Sequence, residues 1–333
     1  MRTWNLTPFL WLVSLCHSRS PSARRRSTKV GALTLSNTPF DHFFFNLDGK
    51  YKVLFDTGCF ATWLMTDAAK AGGYSTVGKS PVACHKELLF GVGSGPNANS
   101  FYANHCLTDT ARLGTLRWSV NLLLTDRNVS WWQNVGVVGA SLESDFAKAY
   151  PVFTVVPRSK RFDVLVGREP LGLKCLYVPL ALMGHTLKKW IISGRVRVGE
   201  SGEWVTKDFE VDTGFPPMPL SDNLWEQVVQ TISANGGTVS GAVNGGYGQI
   251  VSNCRSLDII PFIEYAFDGS SGSVFKRRVP ASNFSTRTND ECQVYATLGD
   301  DRPFSFLPAP FLRMAIVRYD AGRKQVGFCK RKS

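Results

Sequence analysis

The chain has 333 residues, 44% hydrophobic and 19% charged, which excludes wholesale disorder. Its 30 Gly, 22 Phe and 9 Trp favour strands and turns over a helical bundle. The formal net charge is +12, but residues 1–30 hold Arg2, Arg19, Arg24, Arg25, Arg26 and Lys29 and no acid, so setting those six aside leaves +6. The remaining basic residues are not interleaved into a nucleic-acid-binding module, so no nucleic-acid partner is expected.

Residues 1–18 read as a secretory signal peptide, with Arg2 as the positive start and Phe9 to Cys16 as a short apolar core. That run falls short of the ~20 residues a membrane-spanning helix needs, and no later segment is longer and as apolar. Residues 19–30 form a basic, Ser-rich segment expected to be disordered, with Arg24-Arg25-Arg26 as a processing site. Further along, the apolar run Lys52 to Phe55 leads into Asp56-Thr57-Gly58. Cys84-His85 and His105-Cys106 then flank a glycine-rich turn, Gly91-Val92-Gly93-Ser94-Gly95. In an exported chain a Cys84–Cys106 disulfide is the plainer reading, with free thiols or a zinc site as the alternatives. A phosphate-binding loop is set aside, because no helix pattern and no P-loop lysine follow the glycines.

Asn128-Val129-Ser130 and Asn283-Phe284-Ser285 are glycosylation acceptors in an exported chain. A short helix is expected around residues 142–150. The run Asp208 to Val211 leads into a second triplet, Asp212-Thr213-Gly214, 156 residues after the first. Ser221 then caps an amphipathic helix to about Ser233, with Leu224, Val228, Val229 and Ile232 on one face and Gly236-Gly237 as terminator. Seven cysteines follow the signal, and an odd number leaves at least one without an intrachain partner. His17, His42 and His185 fall in no triad or ligand pattern.

A single Asp-Thr-Gly after a strand is an ordinary turn. Two copies, one per half, point to chemistry. Two carboxyls held about 3 Å apart cannot both ionise, so they share a proton and titrate as a pair. The ionised member takes a proton from water while the protonated one donates to a substrate carbonyl oxygen. Such a site needs neither cofactor nor metal.

The motifs resemble those of the pepsin-like aspartic proteases over roughly residues 31–330. Asp56 to Leu64, including Trp63, is similar to that family's first active-site run. Val135 to Gly139 resembles its apolar-Gly strand, Leu176 to Leu180 with Trp190 its interlobe segment, and Phe311 to Phe328 its C-terminal strands. The resemblance implies an all-β, bilobal fold of two six-stranded-barrel-like lobes, residues 31–175 and 176–333, with a cleft between them. It implies Asp56 and Asp212 as catalytic dyad, with Thr57, Gly58, Thr213 and Gly214 supporting their geometry. It also implies a Cys254–Cys292 disulfide and a β-hairpin flap carrying Phe90, Gly91, Gly93 and Ser94.

The chain departs from the family at four places. Phe90 stands where the flap has Tyr, Cys59 and Phe215 where each Asp-Thr-Gly is followed by Ser or Thr, and Pro308 at the second lobe's Gly position. A thiol is a weak hydrogen-bond donor and a phenyl ring is none, so an acid optimum displaced upward is expected. Pro308 puts the packing beneath Asp212 in question. The short interval between signal and first strand leaves little room for the family's inhibitory prosegment. The expected function is a secreted or endo-lysosomal/vacuolar aspartic endopeptidase, monomeric, acting on extended polypeptides and open to pepstatin-type inhibitors. The alternative is a pepsin-fold protein of impaired activity that binds peptides or proteins.

Overall fold

The computed structural model of the chain describes residues 28–34, 43–82, 105–125, 136–158, 161–167, 172–215, 218–242, 248–298 and 304–331. The fold is mostly β, and its two lobes are built on different sheets. A seven-stranded sheet runs in the order Phe44–Leu47, Tyr51–Asp56, Gly136–Gly139, Thr62–Met65, Leu116–Thr125, His105–Leu113, Ser80–Pro81. A five-stranded sheet carries Val274–Val279, Ile263–Asp268, Ile191–Val198, Val205–Val211 and Ser305–Leu307. Smaller sheets of four and two strands complete the second lobe.

A six-stranded sheet ties the halves together, because Val152–Pro157 from the first half pairs with Ile316–Asp320 from the second. Its edge is Thr28–Thr34, paired antiparallel with Arg161–Val166. Residues 28–30, expected to end a disordered segment, are therefore in a strand, where the run from Thr28 to Thr34 finds an edge to pair with. Cys175 faces Cys329 across the antiparallel strands Leu173–Pro179 and Gln325–Arg331, and the two form a disulfide. The Cys254–Cys292 disulfide is present, and Cys59 is a free thiol. Cys106 is disulfide-bonded as well, but Cys84 lies outside the described residues.

Strand alternation sets the core. Leu116–Thr125 turns Leu116, Trp118, Val120, Leu122 and Leu124 inward, while on its other face Arg117, Ser119 and Asn121 meet solvent and Leu123 and Thr125 are covered. Phe55 packs edge-on against Phe45, Phe146 and Phe153 beneath the first Asp-Thr-Gly, and Phe209 packs against Tyr265 and Phe267 before the second. Each such ring contributes about 1.5–3 kcal/mol by burial, so the strand ends that carry the two triplets are rigidly seated.

The helices are few. Asp145–Ala149 falls within the expected 142–150, with Ser144 Oγ accepting from the Ala147 amide at 3.1 Å. Asp222–Ala234 buries Leu224, Val228 and Ile232, and its terminator Gly236 has φ +82°. Ser221 is at its N-cap position, but the Ser221 side chain makes no capping bond. Among the described residues no helix is long and apolar enough to cross a membrane.

Candidate active site

Each triplet sits at the carboxyl end of a strand that has a parallel neighbour. Tyr51–Asp56 pairs parallel with Gly136–Gly139, placing Asp56 opposite Gly139. Val205–Val211 pairs parallel with Ser305–Leu307, and the Asp212 amide donates to the Leu307 carbonyl at 3.4 Å. Gly139 is required here, since a Cβ would come within 2.6 Å of the Ala61 carbonyl oxygen.

The two loops lock by reciprocal hydrogen bonds. The Thr57 amide donates to Thr213 Oγ1 at 3.0 Å, and the Thr213 amide donates to Thr57 Oγ1 at 3.0 Å. Thr57 Oγ1 in turn donates to the Val211 carbonyl at 2.7 Å, and Thr213 Oγ1 to the Phe55 carbonyl at 2.6 Å. Both threonines are fully buried. Four bonds thus fix one loop on the other with near two-fold symmetry.

That lock brings Asp56 and Asp212 together. Both are buried, and their carboxyls hydrogen-bond each other. Asp56 Oδ1 accepts from the Gly58 amide at 2.8 Å and the Cys59 amide at 3.0 Å, while Asp212 Oδ1 accepts from the Gly214 amide at 2.7 Å. A Cβ on Gly58 would lie 2.6 Å from the Asp212 carboxyl carbon, and one on Gly214 would lie 2.4 Å from that of Asp56. Only glycine lets each carboxyl lie against the opposite loop.

Burial, then the charge of Asp212, holds Asp56 well above the usual carboxylate range. Burial also raises Asp212, but less, because the hydrogen bond with Asp56, the Gly214 amide and the Lys189 cation all favour its ionised form. A dyad of this kind keeps one proton where isolated carboxyls would have lost both.

The four departures fall out differently. The Cys59 thiol donates to the Ala61 carbonyl at 3.3 Å rather than to Asp56, and burial followed by the Asp56 charge raises its pKa. Phe215 stacks on Phe306 with centroids 4.2 Å apart and rings 9° from parallel. Pro308 is the N-cap of the short helix Ala309–Leu312, and the Ala309 amide donates across to the Phe215 carbonyl at 3.0 Å. Phe90, with Gly91, Gly93, Ser94 and Asn128, lies outside the described residues. Asn283 is half-buried, and its Nδ2 donates to the Pro310 carbonyl at 3.5 Å.

Two neighbours of the dyad escaped the sequence reading. Glu210, two residues before Asp212, is fully buried, and Lys189 Nζ reaches its two carboxylate oxygens at 2.8 and 3.0 Å. The available signal was an acid at 210 between the core residues Phe209 and Val211, on the strand face that carries Asp212. Trp190, next to Lys189, donates from Nε1 to the Ala140 carbonyl at 2.9 Å, and the Ala140 amide donates to the Asp56 carbonyl at 2.7 Å. The segment carrying Lys189 is thereby pinned under both loops.

Two lobes, each ending a strand in Asp-Thr-Gly and meeting over a shared pair of carboxyls, define the bilobal pepsin-like fold. Among solved structures the chain is similar to the aspartic proteinase from Irpex lacteus, with a TM-score of 0.62 and 15% identity, covering 91% of this chain and 98% of that one. No family profile and no curated protein sequence matches it. At that identity the likeness establishes the fold, and function has to be argued from the site.

Proposed function

We propose that the chain is an aspartic endopeptidase in which Asp56 and Asp212 share one proton. The observation that carries this reading is the reciprocal Thr57–Thr213 lock, which seats two buried carboxyls against each other. The ionised carboxyl takes a proton from a water as that water's oxygen bonds to the scissile carbonyl carbon. The protonated carboxyl gives its proton to the carbonyl oxygen. As the tetrahedral intermediate collapses and the C–N bond breaks, the carboxyl that took the water's proton gives it to the leaving nitrogen, while the other takes a proton from a hydroxyl of the intermediate, so the dyad returns to its starting state. Thr57, Thr213, Gly58 and Gly214 act as positioning residues. The substrate is an extended polypeptide held by strand-like hydrogen bonds. Two disulfides among the described residues fit a secreted or endo-lysosomal setting.

The second reading is a pepsin-fold protein that binds polypeptides and cleaves them poorly. It is favoured by Cys59, whose thiol donates to the Ala61 carbonyl, and by Phe215, whose ring stacks on Phe306, so neither side chain that follows a triplet donates a hydroxyl to a carboxyl. The test is incubation of purified protein with an unfolded polypeptide from about pH 3 to 7, with and without pepstatin. Pepstatin-sensitive cleavage supports the endopeptidase. Saturable binding of the polypeptide without cleavage supports the binding protein.

A further inference from the structure

Three phenylalanine rings near Asp212, those of Phe215, Phe304 and Phe306, lie outside the packed hydrophobic cores. Strand register explains why. Ser305 pairs with Phe209 and Leu307 with Val211, whose side chains enter the second lobe's core, so Phe306, paired with Glu210, projects from the opposite face. Phe215 comes three residues after Asp212, and its amide donates to the Asp212 carbonyl at 3.4 Å, a turn that keeps the two Cα atoms within about 7 Å. Its carbonyl accepts from the Ala309 amide at 3.0 Å, so the backbone of Phe215 is held at both ends. The Phe215 ring stacks on Phe306 with planes 9° from parallel, and Phe304 meets Phe306 edge-on with centroids 5.8 Å apart. Phe306 is buried, whereas Phe215 and Phe304 are each half-buried. Lys189 Nζ, 5.9 Å from the Phe304 ring centre, marks the charged end of the group.

We propose that this aromatic shelf is a specificity subsite, in which Phe215, seated on Phe306, receives a planar aromatic side chain of the polypeptide bound across the dyad. A half-buried ring that fills no core keeps apolar area in contact with water, and a side chain laid over it removes that area. The stack on Phe306 holds the Phe215 plane in place, so an incoming ring meets it face-offset or edge-on without first having to order it. An aliphatic side chain of similar size covers the same area but lacks the ring-on-ring geometry. The matching position after the first triplet is Cys59, whose thiol donates to the Ala61 carbonyl, so the first lobe offers no equivalent ring there. The preference is therefore confined to one position of the substrate. Phe215 and Phe306 act on substrate choice and take no part in proton transfer.

The inference deepens the endopeptidase reading and rests on it for its effect on cleavage, so its test has a second arm that reads binding alone. Peptides carrying Phe, Tyr, Leu or Ala at one position at a time are offered to the full chain, and the cleavage sites and kcat/KM are read by mass spectrometry. The same peptides, made uncleavable by reducing the scissile bond where one is cleaved, are titrated by calorimetry. The wild type is expected to prefer Phe and Tyr over Leu by about 5-fold at a single position, in kcat/KM and in Kd. Phe215→Leu keeps apolar bulk but loses the stack, and brings that preference to within about 2-fold, whereas Phe215→Tyr retains it. Damage to the fold lowers every peptide alike and leaves the ratio unchanged, so the ratio isolates the shelf. If Phe215→Leu fails to fold, Phe306→Leu, which removes the supporting ring, carries the test with the same expected loss of preference. A wild type with no aromatic preference, a preference that persists in the folded Leu variants, or one that falls equally at every position overturns the proposal. Cleavage without aromatic preference refutes the shelf and keeps the endopeptidase. Aromatic-selective binding without cleavage, lost in the Leu variants, refutes the endopeptidase and keeps the shelf.

Discussion

Two positions before Asp56 the chain has Leu54, buried with Phe44, Trp63 and Val137. Two positions before Asp212 it has Glu210, equally buried but charged and held by Lys189. Opposite Asp56 stands Gly139, whose missing side chain admits the Ala61 backbone, and the following amide of Ala140 bonds the Asp56 carbonyl at 2.7 Å. In the second lobe Pro308 follows the paired strand, and the Ala309 amide bonds the Phe215 carbonyl instead. The lobes therefore share the upper layer, where the threonine bonds match to within 0.1 Å, and differ in the layer beneath. Symmetry sits where the carboxyls must meet. Asymmetry sits in the layer beneath them.

The largest expected effect tests the shared layer. Gly58→Ala and Gly214→Ala each push a methyl into the opposite carboxyl, and each is expected to reduce cleavage about 100-fold or more. A tolerated alanine in one lobe only would break the symmetry claimed for this layer. Next come Thr57→Val and Thr213→Val, each removing a hydroxyl that both donates and accepts in the buried lock. Each is expected to cost about 2–3 kcal/mol in denaturant unfolding, with the two losses equal within about 0.5 kcal/mol.

A smaller effect reads the buried charge. Because Asp56 binds its proton more tightly folded than unfolded, the stability it contributes is complete below its ordinary value of 3.8 and is lost as pH rises through its raised folded value. Asp56→Asn is therefore expected to raise Tm at neutral pH by about 2 °C or more, and the gain should shrink as pH falls toward 3.8. A gain that grows toward acid would reverse the sign. The smallest effect concerns Cys59. Cys59→Ser supplies a stronger donor beside Asp56 and is expected to move the acidic limb of kcat/KM down by about half a unit.

The shared layer was the legible part of the sequence. Asp56-Thr57-Gly58 and Asp212-Thr213-Gly214 each end an apolar run, and turn chemistry with strand alternation places their carboxyls at strand ends. Cys254–Cys292 was legible only through the family likeness. Cys175–Cys329 was not, since spacing cannot give connectivity and the two residues meet only when the chain's far ends pair. Lys189 and Glu210 were missed for a related reason. An acid in a strand ordinarily faces water, and only the packing of the segment around Trp190 against Val205–Val211 reveals that this one does not. Pro308 was visible as an anomaly, but its remedy, a helix beginning one residue later, depends on contacts across the second loop.

The central claim is that one carboxyl from each lobe performs the hydrolysis together. Its most direct test compares cleavage of an unfolded polypeptide by the wild type with cleavage by Asp56→Asn and by Asp212→Asn, all verified as folded by circular dichroism. The account predicts pepstatin-sensitive cleavage by the wild type and its loss in both variants, since each asparagine leaves the partner with no proton to share. Cleavage that survives either substitution would contradict it.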